Sequence, residues 1–429
     1  MRIRRTLPPT AAPVTLIDLV NSIVATRFGD GHLERITADL KESFQVKHLL
    51  LLSSGKAALT VILRSLKSLS PRTRVVIPAY TCFSVPSAIV KSGLDIVLCD
   101  VDPKTLDFNF SHLEQLLDDR TLCVIPTHLL GIPSDLDRVI GLARRVGAFV
   151  VEDAAQAMGG TYKGRPLGSL GDAGFFSLGR GKNITCGSGG IVVTNSEAVA
   201  PVLQREYQNL PVEPLGHALR SLASLAGMWL FIRPSLYWLP SSLPFLHLGE
   251  TFFCPEFPEW KLGCAKAPLL SHWRLRLESS NRARCQMAQG LSDRLGHHPH
   301  SAASGSSALP VHLRLPFLLE TPEDKRELCR MSQRLGLGIS PMYPTAIDRI
   351  PALAGRFTGN CYPGAATVAN RLVTLPVHHL LTRMDLERIV RATKAFAGSV
   401  PGAFPGLVHP PAAPTWDPSG RSHLVHSAG

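Results

Sequence analysis

The sequence predicts an α/β protein: a large, mostly parallel-sheet domain followed by a smaller α+β domain toward the C-terminus. Between residues 48 and 195, short apolar runs alternate with helical patterns, which is how a parallel sheet with helices on both faces reads. The runs at 48–52, 75–77, 95–99, 121–125, 148–151 and 191–194 are short, apolar and bounded by turn residues, as doubly buried strands are. Beyond Val311, a strand at 313–319 and helices at 322–335 and 385–397 outline the second substructure.

Each element has a local reason. The helix at 55–66 sets Leu59, Ile62, Leu63 and Leu66 on one apolar stripe. Ser134, with Asp137 three residues later, predicts the cap of a helix running to about Val146. Residues 219–248 are rich in Leu, Trp, Phe and Pro, with Arg220 and Arg233 as their only Lys or Arg residues. Pro234, Pro240 and Pro244 forbid one long helix there, and 221–232 is too short to cross a bilayer. The preferred reading is an intersubunit or interdomain packing element. The second is a segment lying on a membrane surface, motivated by Trp229, Phe231, Tyr237 and Trp238. Residues 256–295 read as helical and basic, 297–309 as a surface insertion, and the Pro/Gly/Ala-rich tail from Pro401 as mobile. The expected organisation is a large domain over 1–210, an apolar insertion over 211–255, a helical connection with a small domain over 256–400, and a tail over 401–429.

Composition narrows the function classes. In 429 residues, 45% are hydrophobic and 18% charged, which excludes a disordered or fibrous chain. Lys and Arg number 45 against 33 acids, a net +12 that favours anionic partners. No basic run interleaves with aromatics and no nucleic-acid motif occurs, so a phosphate-bearing small molecule and ordinary surface charge weigh about equally. Nine cysteines are scattered without C-x-x-C or Cys/His spacing, so neither zinc nor a disulfide framework is expected. Asp100 and Asp102 sit in a Val-Asp-Pro turn rather than a ligand cluster, and no metal is expected. No apolar signal core follows the N-terminal arginines, so the expected location is cytoplasmic, with the inner membrane face as the variant that the apolar insertion suggests.

The chemistry concentrates in two stretches. Val150-Val151-Glu152-Asp153-Ala154-Ala155-Gln156 is an apolar strand whose carboxyl end turns polar, the edge at which open α/β sheets bind ligands. Downstream, Lys182 is held in the glycine-rich stretch 171–190. Neither is strong alone, since a strand-end acid is usually a helix cap and a lysine is usually solvated. Paired in this order, with Gln156, they resemble a pyridoxal-phosphate site. Ser53-Ser54-Gly55 ahead of a helix supplies N-terminal amides for a phosphate, although a plain Ser N-cap would explain that pattern as well.

Ser53-Ser54-Gly55, Pro78-Ala79-Tyr80-Thr81, Glu152-Asp153-Ala154-Ala155-Gln156-Ala157 and Phe176-Ser177-(x)4-Lys182-Asn183 together resemble the DegT/StrS family of sugar aminotransferases, which are fold-type I enzymes dependent on pyridoxal 5'-phosphate. Gly338-Ile339-Ser340, Tyr343-Pro344 and Leu375-Pro376-Val377-His378 resemble its small-domain signatures. The resemblance runs from about residue 21 to 393 and is poor across 205–255 and 296–310.

That resemblance implies Lys182 as the amine that attaches to the cofactor aldehyde and then shuttles protons, and Asp153 as the partner of the pyridine nitrogen. It implies Gln156 near the ring hydroxyl, and Ser177, Ser54, Gly55 and Lys56 about the phosphate. It further implies an amino-acid donor, glutamate, a nucleotide-linked keto-sugar acceptor serving amino-sugar or polysaccharide biosynthesis, and a homodimer. Three departures stand out. Lys56 replaces a common Thr, Cys82 occupies a position often aromatic, and no Asn-x-Arg element precedes Phe257, leaving Lys261 or Arg274 as substitutes. His128 reads as a hydrogen-bonded loop histidine in preference to one facing the cofactor. Two rivals remain: a sugar dehydratase, against which Lys182 argues, and a non-catalytic binding protein.

Overall fold

The computed structural model describes residues 5–25, 31–246, 248–296 and 308–396. In chain order the helices are α1 (Leu16–Ala25), α2 (Gly31–Phe44), α3 (Gly55–Leu69), α4 (Ser84–Lys91), α5 (Phe110–Leu116), α6 (Leu136–Arg145), α7 (Ala200–Gln208), α8 (Leu215–Phe231), α9 (Trp238–Ser241), α10 (Trp273–Leu295), α11 (Pro322–Leu335), α12 (Pro363–Arg371) and α13 (Arg383–Lys394). The strands are β1 (His48–Leu52), β2 (Arg74–Pro78), β3 (Asp95–Cys99), β4 (Thr121–Val124), β5 (Phe149–Asp153), the hairpin β6 (Thr161–Tyr162) and β7 (Arg165–Pro166), then β8 (Ala173–Ser177), β9 (Gly190–Thr194), β10 (Leu315–Leu318) and β11 (Leu372–Leu375).

Seven strands form one sheet in the order β1-β9-β8-β5-β4-β2-β3. The run from β8 to β3 is parallel, while β9 lies antiparallel to both β8 and β1. The expected α/β sheet is therefore present with one mixed edge. Its strands are buried on both faces, one layer built on α3 and α4, the others on α2, the 264–270 turn, α5 and α6. Burial of this kind, not local propensity, holds such short strands.

A second small sheet pairs β10 antiparallel to β11. It packs against α10, α11 and α13 around Leu315, Phe317, Leu328, Val373 and Ile389. The described residues belong to one compact unit.

Several sequence boundaries move for identifiable reasons. Helix α6 is capped by Asp135, whose side chain accepts the Arg138 N–H; Ser134 instead donates to Asp107 at 2.7 Å. The stretch 256–295 is not one helix, because Pro268 limits 264–270 to a 3₁₀ turn before α10 begins. Helix α13 starts at Arg383, where Thr382 and Asp385 form a reciprocal capping box, and ends at Lys394. Strand β8 lies inside the glycine-rich stretch, where glycines masked the apolar run 173–176. Most of the expected 297–309 insertion and all of the 401–429 tail lie outside the described residues.

In the apolar segment, α8 buries Ala218, Leu222 and Leu225 against the core while Leu215, Leu219 and Leu230 stay exposed. Among the described residues no helix is long and apolar enough to cross a membrane.

Candidate active site

The site gathers at the C-terminal edge of the large sheet. Asp153 ends β5, Thr127 beyond β4 bridges to it, and Ser177 ends the neighbouring β8. Register alone places them together, because parallel strands that start level also finish level.

Asp153 is 4% exposed, and its Oδ1 accepts the Ala155 N–H at 3.1 Å. Burial pushes its carboxyl above the ordinary range, against the opposing pull of that N–H, Lys182 and His128. A carboxylate so desolvated gains strongly from a cation placed against it.

The preceding residue holds the edge in shape. Glu152 is fully buried; its Oε1 accepts the N–H groups of Leu170 (2.6 Å) and Gly171 (2.7 Å), and its Oε2 accepts that of Gly168 (2.8 Å). His128 also meets Oε2 at 3.1 Å. Since His128 Nδ1 accepts the Ser134 N–H, its Nε2 carries the proton and donates to Glu152. His128 thus belongs to the scaffold, the reading its sequence context favoured.

Lys182 sits half-buried in the loop after β8, and its loop is clamped from outside. Asn183 Nδ2 donates to Asn281 Oδ1 on α10 at 3.1 Å, and Asn281 Nδ2 donates to the Met158 carbonyl at 2.9 Å. Arg284, also on α10 and fully buried, donates to the carbonyls of Leu313 (2.7 Å), Ala11 (2.7 Å) and Lys182 (3.5 Å). Burial pulls the Lys182 ammonium below the usual lysine range, and Cys82 and Asp153 only partly restore it. The amine is thereby made available as a nucleophile.

An anion cradle lies where α3 meets Ser177. Ser54 caps α3 by accepting the Ala57 N–H at 3.1 Å, so the cap reading of the serine holds together with the helix N-terminus it creates. The amides of Gly55 and Lys56 fall in the first turn, where no i−4 carbonyl is available to them. A Cβ on Gly55 would come within 3.1 Å of Ser177 Cβ, so glycine is what lets the two backbones close on one small group. Gly190 is required too, because a Cβ there would collide with the Ser54 carbonyl. Ser177 Oγ accepts the Gly179 N–H at 3.3 Å, which leaves its own proton to donate.

Other expectations shift. The Lys56 ammonium lies 4.5 Å over the Phe257 ring, and burial lowers its pKa; it is the Lys56 backbone, not its charge, that belongs to the helix terminus. Gln156 accepts the Leu130 N–H at 3.0 Å and donates to the Tyr343 hydroxyl at 2.7 Å. Lys261 donates to the Gln208 carbonyl and Arg274 pairs with Asp39, so within this chain both are engaged elsewhere. Asp100 accepts the Gly364 and Ala365 N–H groups at the start of α12.

Sequence reasoning missed Asn281 and Arg284, which hold the lysine loop from α10. For these two the sequence carries no signal, since their contacts with Asn183 and Lys182 span 98 and 102 residues of chain.

The donor set fits a phosphorylated pyridine aldehyde: amides and a hydroxyl for the phosphate, an amine for the aldehyde, a buried acid for the ring nitrogen. Sheet and site together define a fold-type I protein of the pyridoxal-phosphate-dependent class. The profile of the DegT/DnrJ/EryC1/StrS aminotransferase family matches residues 16–209 and 265–394. The chain belongs to that family, with the apolar segment falling in the unmatched gap.

GDP-perosamine synthase of Caulobacter vibrioides is 37% identical over 155 residues, which is 36% of this chain and 42% of that protein. The chain therefore matches less than half the length of that relative. The crystal structure of the sugar aminotransferase CalS13 from Micromonospora echinospora superposes with a TM-score of 0.73 at 22% identity, covering 91% of this chain and 99% of that one. DesV from S. venezuelae gives 0.70 at 25% identity, over 90% and 94%.

Proposed function

We propose that this protein is a pyridoxal-phosphate-dependent aminotransferase that carries an amino group from glutamate to the keto carbon of a nucleotide-linked sugar, for amino-sugar or cell-surface polysaccharide synthesis. One observation carries the reading: buried Asp153 at the end of β5, Ser177 at the end of the adjacent β8 against Gly55 of α3, and Lys182 in the loop that follows gather at one edge of the sheet. The family and the named activities of the relatives support the substrate class.

The cofactor supplies an aldehyde that exchanges an amino group and a ring that accepts electrons. Ser177 Oγ and the Gly55 and Lys56 amides would hold its phosphate, aided by the α3 dipole. Asp153 would stand against the ring nitrogen, where a buried carboxylate favours a protonated, cationic atom. Lys182 Nζ would be the amine that takes the aldehyde and, when free, the base that holds or gives up a proton. Gln156, between Leu130 and Tyr343, orients the polar wall on the hydroxyl side of the ring.

The test is a half-reaction. Glutamate added to the reconstituted protein converts the bound cofactor from its aldehyde to its amine form, and a panel of nucleotide keto-sugars identifies the one that reverses it. A spectrum unmoved by glutamate would favour the non-catalytic binding reading. Ser177→Ala should weaken cofactor affinity on the order of 10-fold, read by fluorescence titration of the apoprotein.

A homodimer is the proposed assembly. Leu16, Ile17 and Val20 on α1 and Leu215, Leu219 and Leu230 on α8 are all exposed, on two helices that pack together. Large apolar side chains crowded this way favour a covering surface. Light scattering is expected to give twice the chain mass, in keeping with a cytoplasmic enzyme. The exposed Phe245, Leu246, Leu248 and Phe252 support the alternative of contact with the inner membrane face through 219–248. Co-sedimentation with anionic vesicles is the expected outcome of that alternative, and its absence sinks it. The 1–210, 211–255 and 256–400 divisions stand as proposed organisational units, to be mapped by limited proteolysis.

A further inference from the structure

Residues 5–12 run without helix or strand from the small sheet's core to the lysine loop, and they are tied down along the way. Arg5 pairs with Asp385 at 2.6 Å, the Leu7 N–H donates to the Gly336 carbonyl at 3.0 Å, and the His378 Nε2–H donates to the Pro8 carbonyl at 2.9 Å. Leu7 is buried in the core around β10 and β11. The turn beside it is shaped for this strap. Gly336 and Gly338 have φ of +69° and +73°, and a Cβ there would come within 2.7 Å of the Arg5 carbonyl oxygen and 3.0 Å of the Leu7 carbonyl oxygen. From the apolar segment, the Pro234 carbonyl accepts the Thr6 N–H at 2.7 Å. Pro8, Pro9 and Pro13 restrict the backbone of the strap and of the residues before them, so its far end is placed by its near end.

That far end meets the peptide that carries the amine. Thr10 Oγ1 donates to the Gly181 carbonyl at 3.2 Å, and the Lys182 N–H of the same peptide donates to the Gly179 carbonyl at 3.3 Å. The next carbonyl, that of Lys182, is met at 3.5 Å by Arg284, whose guanidinium also binds the Ala11 carbonyl at 2.7 Å. Support from outside has a local reason. Gly179 and Gly181 flank Arg180, Gly181 has a φ of +80°, and a backbone so rich in glycine does not keep one conformation by itself. A Cβ on Gly181 would come within 2.8 Å of Thr10 Cγ2. The threonine methyl thus fills the space that glycine leaves, while its hydroxyl makes the bond.

We infer that Thr10 is a positioning residue for Lys182: it holds the peptide plane from which the amine projects, and the strap anchors that hold in the layer of β10 and β11. It acts through the Gly181 carbonyl. The amine's charged surroundings are Asp153 from β5, Cys82 ahead of α4 and Arg314 ahead of β10, and burial outweighs them in favouring the neutral form. Without the Thr10 bond the glycine loop is free to turn the amine outward, and a better-solvated amine keeps its proton to higher pH.

The inference rests on the proposed cofactor chemistry, and measuring the apoprotein separates the two. If the wild type, given pyridoxal 5'-phosphate and then borohydride, carries no pyridoxyl adduct at residue 182, that chemistry fails. Thr10 is tested without cofactor. The apoprotein is labelled with a small amine-acylating reagent over a range of pH, the rate at Lys182 is read by peptide mapping, and exposed Lys104 in the same digest is the control. Thr10→Val keeps a branched side chain and loses the donor. Its rising limb at Lys182 should move up by about half a pH unit, the size that one hydrogen bond can set. Thr10→Ser keeps the donor and should hold the limb near its wild-type position, with Lys104 unmoved in every protein. In the reconstituted protein, Thr10→Val should lose about 3- to 10-fold in the rate constant of the glutamate half-reaction. A limb that stays in place while the denaturant midpoint falls would make Thr10 a structural residue only. That result, a limb moved down, or an equal shift in Thr10→Ser overturns the assignment.

Discussion

Lys182→Ala is expected to abolish turnover outright, a loss of at least four orders of magnitude, because no other amine takes both the covalent and the proton-transfer roles. Borohydride reduction of the reconstituted wild type should leave a pyridoxyl adduct at residue 182 by peptide mapping, and the variant should carry none. A pH measurement accompanies it. The amine reacts only when neutral, and burial places its pKa below that of an ordinary lysine. The rate of cofactor attachment to the apoprotein should therefore climb as pH rises through that lowered value and level off above it. Asp153 raises the same pKa, so Asp153→Asn should move the rising limb to lower pH. A limb that stays in place, or moves up, would show that the two charges do not communicate. Turnover of Asp153→Asn should fall steeply all the same, since an amide cannot hold the ring nitrogen in its protonated form.

Glu152→Gln should destabilise the fold by roughly 3 kcal/mol. The carboxylate accepts from His128 and from three backbone N–H groups across Gly168–Gly171. Glutamine replaces one accepting oxygen with an NH₂ donor that would face donors, leaving at least one buried N–H unmatched. The denaturant midpoint should fall with little change in slope. Activity should fall as well, because the 168–171 turn backs the strand that ends in Asp153. A variant as stable as the wild type would mean that the network contributes little. A second buried cluster offers a comparison: Lys266 meets Glu213 at 2.6 Å with both side chains fully buried, and Lys266 also donates to Ser188 Oγ at 2.8 Å. It ties the Gly187–Gly190 turn to the start of α8.

What was legible in the chain is local or sequential. Apolar runs of strand length must be buried on both faces, and a strand ending in Glu152-Asp153 must show polar atoms at its carboxyl edge. Gly-Ser-Gly-Gly and Ser-Gly turns mark close backbone approaches, and Lys182 among glycines marks a candidate chemical group. These suffice for the α/β class and the sheet, and they bring Asp153 and Lys182 forward as candidates.

What folding decided is which distant groups meet. The antiparallel edge formed by β9 and β1 follows from the short return after Lys182, which leaves no length for a crossover helix between β8 and β9. Lys56 and Gln156 show how neighbours can redirect a side chain, one onto an aromatic ring and the other onto Tyr343. Arg284 joins the N-terminal segment, the lysine loop and the approach to β10 in one guanidinium. Hydrophobic patterning fixes an element's face, because burial depends on area alone. Hydrogen bonding and charge depend on direction and distance, which exist only once the layers have packed.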